Sequence, residues 1–255
     1  MSVDTVEAGG FSVRYLALGE GPCLLFLHGW GVGADSYTPL LTHLAARFRV
    51  VAPDLPGMGG TLEPTEPWGV GDYAAFVRAF AAALGLAPRV LMGHSNGGRV
   101  LLKLQSDPAI AFPADKMVLI DSAGIRPRHP PLYYVKVYAY KTGKVLLTPF
   151  PGLKRRLQTN AGSADYRAAS PVMRGTLSRL VGADLTPLLP AVRPGALLLW
   201  GDRDTATPLR DGRLMAAGIP GAGLALLPGG GHWAVLEQLP LALRILDSYL
   251  QPEPI

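Results

Sequence analysis

The chain has a single cysteine, Cys23, in 255 residues, so no internal disulfide can form and a small disulfide scaffold is excluded. Charged residues are also scarce, at 17%, and the arginines that supply most of the formal net charge of +5 are scattered along the chain. Scattered charge serves solubility and leaves no footprint for a nucleic-acid partner. One short cluster, Lys154, Arg155 and Arg156, reads as a solvated face. Apolar runs such as Ala196–Trp200 fall far below the roughly 20 residues that span a bilayer, so no membrane partner is expected. Met1–Gly10 carries acidic residues where a secretory signal needs a basic start and an apolar stretch. With one cysteine, the expected compartment is the reducing cytoplasm. Internal repeats and low-complexity tracts are missing as well. What is present is apolar: 49% of residues are hydrophobic and the mean hydropathy is +0.23. Disorder is thereby excluded, and the length suits one large core or one domain carrying an insertion.

Short β-branched or leucine-rich runs alternate with longer alanine- and leucine-rich stretches, each run ending in glycine, proline or aspartate. This alternation predicts an α/β fold with a mostly parallel sheet and helices on both faces. Strands are expected near Phe11–Leu18, Cys23–Leu27, Val50–Pro53, Val90–Gly93, Met117–Asp121, Ala196–Trp200 and Leu224–Leu227. Helices are expected near Tyr37–Arg47, Val70–Leu84, Asn96–Ser106, Leu209–Ala217 and Ala234–Leu250. Between Ser122 and Pro194 no strand-like run occurs, and tyrosines, prolines and basic residues become common, the pattern of an insertion. Its tail reads as a helix with Pro171 in first position behind a capping Ser170. Tyr133, Tyr134, Tyr138 and Tyr140 would give its first part an aromatic face.

The strongest chemical signal is Gly93-His94-Ser95-Asn96-Gly97, placed between a strand-like run and a helical pattern. Gly-x-Ser-x-Gly in that context forces a sharp turn that lifts the serine hydroxyl clear of the backbone. A serine is a weak nucleophile at its own pKa and needs a base in contact plus a third group to hold that base. In this architecture the acid and then the histidine follow the serine. Among the five histidines only His232 lies beyond the candidate acids, in the glycine-rich loop Pro228–Trp233. The acid is expected after the Ala196–Trp200 strand, where Asp202 and Asp204 stand. Pro208 suits the first position of the next helix with Thr207 as cap, which leaves Asp204 in the open loop. Asp204 is therefore the chosen acid, with Asp202 assigned to bonding backbone in the turn or pairing with Arg203 and Asp121 a distant third. Acyl transfer also needs donors for an oxyanion, expected from the backbone amides of Asn96 and Trp30.

Four residues are expected at the substrate. Tyr133 and Tyr138 would line it from the insertion, and Trp233 follows the base. Arg99, one helical turn beyond Ser95, could bind an acidic group or instead pair with a carboxylate or carbonyls beneath the sheet end. Asp54 is read as holding the Pro53–Gly60 turn, His28 as bonding backbone near the oxyanion loop and Cys23 as packing in a strand. His43 and His129 have no partner evident in sequence.

With these residues in view, the chain resembles the α/β-hydrolase superfamily along essentially its whole length. The matching pieces are His28–Gly31, Asp54–Gly59, Gly93–Gly97, Gly201–Asp204 and Gly231-His232. The resemblance implies an eight-stranded sheet, with residues 1–124 and 187–255 as core and a helical cap over 125–186. It implies no metal and no organic cofactor. Relatives with an aspartate nucleophile hydrolyse epoxides or carbon–halogen bonds, and this chain has serine there. His28–Gly31 looks like small microbial carboxylesterases, including the pimeloyl-ester esterases of biotin synthesis. The layout also looks like the meta-cleavage-product hydrolases, which usually carry a Ser-x-Gly-x-Gly loop and a methionine after the nucleophile, where Trp30-Gly31 and Asn96 stand here. An arginine like Arg99 occurs in the related lyase of menaquinone synthesis. The expected function is a carboxylesterase, monomeric or homodimeric, acting on a small-molecule ester with an apolar or aromatic acyl group. A carbon–carbon hydrolase or lyase, and a ligand receptor on the same scaffold, are the alternatives.

Overall fold

The computed structural model describes residues 2–127 and 164–251. One eight-stranded sheet organises them, in the order β1-β2-β4-β3-β5-β6-β7-β8. The strands are β1 (Ser2–Ala8), β2 (Phe11–Leu18), β3 (Cys23–Leu27), β4 (Arg49–Pro53), β5 (Val90–His94), β6 (Lys116–Ile120), β7 (Ala196–Gly201) and β8 (Gly223–Leu227). Pairings β1–β2 and β2–β4 are antiparallel, and β4 through β8 run parallel. The helices are α1 (Thr38–Leu44), α2 (Val70–Ala83), α3 (Asn96–Gln105), α4 (Ala164–Ala168), α5 (Pro171–Gly182), α6 (Leu209–Gly218), α7 (Ala234–Glu237) and α8 (Leu239–Tyr249).

The central strands are buried on both faces, which is why they read as continuous apolar runs and not as alternations. Leu25, Leu27, Leu91, Met117, Leu119, Leu198 and Trp200 point to one side, where α2, α3 and α6 cover them. Leu24, Phe26, Val90, Met92, Val118, Ile120 and Leu199 point to the other, under α1 and α8. Each fully buried leucine contributes on the order of 2 kcal/mol. β3 and β5 are neighbours whose chains leave toward opposite sides of the sheet, so a crevice opens beyond their carboxyl ends. His28–Trp30 and Ser95 emerge there.

β1 lies outside the strands expected from sequence. Its run Ser-Val-Asp-Thr-Val-Glu-Ala is an exposed edge, mostly solvated on both faces, so it lacks the apolar signature of the buried strands. The C-terminal helix is two helices, because the chain breaks at Gln238 and restarts with Pro240 in the first turn of α8. The expected helix over Tyr37–Arg47 is a 3-10 turn at Ala34–Tyr37 followed by the shorter α1. In the insertion, α5 starts as expected: Ser170 accepts from the Met173 amide at 3.1 Å with Pro171 behind it. The Ser170 hydroxyl also donates to Glu63 at 2.6 Å, and Thr176 accepts from the Trp68 amide at 2.9 Å, tying α5 to the loop after β4. Tyr133, Tyr138, His129 and the Lys154–Arg156 cluster lie outside the described residues.

Candidate active site

Ser95 sits between β5 and α3 at φ 49° and ψ −111°, a left-handed conformation rare for a residue with a side chain. Its neighbours hold it there. The Ser95 amide donates to the Ile120 carbonyl at 2.9 Å, and its carbonyl accepts from Ala123 and Arg99 at 3.0 and 3.1 Å. The turn closes only because a Cβ on Gly93 would lie 2.7 Å from the Gly97 carbonyl carbon, and one on Gly98 2.8 Å from the Ser122 Cβ.

His232 Nε2 lies 2.9 Å from Ser95 Oγ, and its Nδ1 lies 2.8 Å from Asp204 Oδ2. A carboxylate only accepts, so Nδ1 carries the proton and the Nε2 lone pair faces the serine hydroxyl. Asp204 Oδ1 accepts from the amides of Ala206 and Thr207 at 2.7 and 3.0 Å, and Oδ2 lies 2.6 Å from Thr207 Oγ1. Burial alone would raise the Asp204 pKa. The bonds from His232 and Thr207 outweigh it and hold the carboxyl below its usual range, so it stays ionised. Such a row can pass the serine proton to Nε2 while the carboxylate faces the resulting imidazolium.

Thr207 departs from its expected place. Helix α6 begins at Leu209, and the Thr207 hydroxyl caps nothing. It bridges Asp204, the Asp121 carbonyl at 2.9 Å and His232 Nδ1 at 3.3 Å. Trp200 anchors the same loop by donating to the Thr207 carbonyl at 2.8 Å. Asp202 bonds backbone, as read, but across to the base-bearing loop, where it accepts from the Gly229 amide at 2.7 Å.

The His28–Trp30 loop, expected to supply an oxyanion donor, is set by buried polar groups. His28 Nε2 accepts from the Leu55 amide at 2.8 Å, so its Nδ1 donates to the Gly29 carbonyl at 2.7 Å. Asp54 is fully buried and accepts from the amides of Ala34 and Gly60, each at 2.8 Å, and from Arg14 at 2.7 Å. The backbone amides of Trp30 and Asn96 donate to no carbonyl of another described residue. Trp233 stacks on the His94 ring at 5.0 Å and is half-buried. His43, which had no partner in sequence, meets Asp247 of α8 at 3.0 Å.

Among the described residues the Arg99 side chain pairs with no carboxylate. It is only 7% exposed, its guanidinium donates to the neutral Asn96 Oδ1 at 3.1 Å, and among these residues its Nε and the Asn96 Nδ2 have no partner. Burial lowers its pKa to about 10, which still leaves it charged at neutral pH.

Asp121, read as a remote alternative acid, has a different place. It follows β6 at φ 40°, its Oδ1 accepts from the Gly201 amide at 2.8 Å, and its Oδ2 has no partner among the described residues. Burial, with smaller contributions from Asp204 and Glu237, pushes its pKa up to about 8 against the bond from Gly201. A carboxyl raised in the folded state contributes stability that is complete below the unfolded pKa near 4 and lost as pH rises toward 8. Asp121→Asn keeps the acceptor for Gly201 and suits the left-handed backbone. The variant is expected to gain stability over the parent progressively between pH 5 and 8, by about 2 kcal/mol or more at the upper end. Urea unfolding at both pH values checks this, and parallel stability curves would refute it.

The chain belongs to the alpha/beta hydrolase family, whose model matches residues 24–242. It is similar to the 2-hydroxy-6-oxo-6-phenylhexa-2,4-dienoate hydrolase of Comamonas testosteroni, 26% identical over 96% of this chain and 93% of that protein. It is also similar to the pimeloyl-[acyl-carrier protein] methyl ester esterase of Xanthomonas oryzae pv. oryzae, 28% identical over 93% of this chain and 98% of that one. A crystallised bacterial membrane phospholipase A superposes with a TM-score of 0.77 at 27% identity, over 98% of this chain and 85% of that chain. The curated relatives thus include dienoate hydrolases and methyl ester esterases. No helix among the described residues is long and apolar enough to cross a membrane.

Proposed function

We propose that the protein is a serine carboxylesterase working through an acyl-enzyme. Ser95 attacks the ester carbonyl as His232 Nε2 takes its proton, and Asp204 keeps the imidazole in the correct tautomer. The amides of Trp30 and Asn96 stabilise the tetrahedral anion. The proton then goes from His232 to the leaving alcohol, water activated by the same nitrogen attacks the acyl carbon, and the acid departs. The observation that carries this reading is the continuous row Ser95 Oγ, His232 Nε2, His232 Nδ1, Asp204 Oδ2 at 2.9 and 2.8 Å. We propose residues 125–186 as the cap and Tyr133 and Tyr138 as binding residues for an apolar or aromatic acyl group. The testing experiment is hydrolysis of p-nitrophenyl esters from acetate to decanoate. Turnover should peak at one chain length. No release on any ester would overturn the esterase reading.

A second reading is favoured by Arg99. A buried cation without a counter-ion is costly in the free protein, and this one, which has no carboxylate partner among the described residues, stands a turn beyond Ser95, beside a second donor that has no partner among them. Together they suit a substrate carboxylate, whether on a half-ester or on an acidic dienone cleaved at a carbon–carbon bond by the same residues. Arg99→Met is expected to lower the ratio of kcat/KM for an acidic acyl ester to that for its neutral isostere by about tenfold or more. An unchanged ratio rules out Arg99 as an acid-binding group.

A further inference from the structure

His94 precedes the nucleophile, is 1% exposed, and has both ring nitrogens engaged. Its Nε2 lies 2.7 Å from the backbone carbonyl of His232, and its Nδ1 lies 2.7 Å from the Tyr37 hydroxyl. That hydroxyl in turn accepts from the Gly29 amide at 3.2 Å. Proton positions follow without a free choice. The His232 carbonyl can only accept, so Nε2 carries the proton; Nδ1 is then bare, and the Tyr37 O–H donates to it. One directed chain therefore runs from the oxyanion loop through Tyr37 and His94 to the peptide of the base.

Packing allows this chain little play. The Tyr37 and Trp233 rings lie 5.5 and 5.0 Å from the His94 ring. A Cβ on Gly29 would meet His94 Nδ1 at 2.9 Å and Ser95 Cβ at 3.4 Å. The neighbouring titratable groups are His232, Asp204 and His28; burial above all lowers the His94 pKa, to about 3. A proton on Nδ1 would face the Tyr37 oxygen and reverse the chain.

We propose that His94 and Tyr37 are positioning residues, which fix the oxyanion loop and the catalytic base relative to one another through the neutral, Nε2-protonated imidazole of His94. This rests on the reading of Ser95 and His232 given above, and the test separates the two. Imidazole 15N signals of the full chain should show His94 neutral and protonated at Nε2 from pH 5 to 9, and Tyr37→Phe should lose that single tautomer. A His94 that titrates near 6.5, or that carries its proton on Nδ1, overturns the relay whatever the enzyme hydrolyses. On the best ester, His94→Ala should lower kcat about 10- to 100-fold with KM nearly constant, because the base is displaced and the substrate is not. His94→Gln, whose amide N–H reaches the Nε2 position, should recover most of that loss. His94→Asn places its side-chain amide at the Nδ1 position and should not. Equal kcat for the Gln and Asn variants, with melting temperatures matched to the parent, overturns the positioning role. If the parent shows no Ser95-dependent turnover, the functional reading fails while the 15N signals still decide the relay.

Discussion

Ser95→Ala is expected to reduce kcat on the best p-nitrophenyl ester by about 10⁴-fold or more and to abolish covalent labelling by a fluorophosphonate. His232→Ala should cost about as much, and the Ser95→Ala/His232→Ala double variant should be no slower than either single one. The reason is geometric. Without His232 the hydroxyl has no acceptor for its proton, and without Ser95 the base has nothing to activate within the 2.9 Å row. Asp204→Asn should lower kcat about 10³- to 10⁴-fold while the fold survives. An amide can still accept from Ala206 and Thr207, but its N–H₂ group facing Nδ1 forces the proton to Nε2, where it points at the serine. Losses that multiply in the double variant would show that Ser95 and His232 do not act as a unit. A fully active Asp204→Asn would remove Asp204 from the mechanism.

Much of this arrangement was legible from the residues. Gly93–Gly97 reads as a strand-to-helix turn because glycine is required where backbones touch, and a parallel sheet delivers its loops to one end, while the order of Ser95, Asp204 and His232 is the one the resemblance to α/β-hydrolases implies. The central strands stood out because both faces are buried, and β1 was hidden because it is mostly solvated, with only Val6 and Ala8 reaching the core. Thr207 was misplaced since Thr-Pro is also a good helix start; only the tertiary pairing with Asp204 and Asp121 distinguishes the two uses. His94 and Tyr37 gave no signal at all. They are 57 residues apart, and neither the helix nor the strand period relates them. Arg99 was legible as a cation near the site, but that no carboxylate among the described residues meets it is a property of the packed molecule.

The same close packing predicts the largest structural effect. Gly97 lies where α3 crosses the end of β3, and a Cβ there would overlap the Leu27 carbonyl oxygen, lie 2.5 Å from its carbon and 2.9 Å from the His28 carbonyl oxygen. All three atoms are backbone, and Leu27 is held in register with Gly93 of β5. No flexible side chain can move aside, so either α3 shifts or the strand does. Gly97→Ala is expected to destabilise by about 3 kcal/mol or more, at or beyond the upper end of what core overpacking usually costs, because the clash is with backbone. Whatever fraction folds should also lose kcat, since relief of the clash moves the His28–Trp30 loop away from Ser95. Gly71→Ala is the control. Gly71 lies in α2 with nothing within 4 Å of a built Cβ, and alanine there should raise stability by about 0.5–1 kcal/mol. Urea unfolding of both variants decides the matter, because a general intolerance of glycine replacement would lower both. If Gly97→Ala matches the parent in stability and turnover, the contact between α3 and β3 is looser than these distances require, and the His28–Trp30 loop is not set by it.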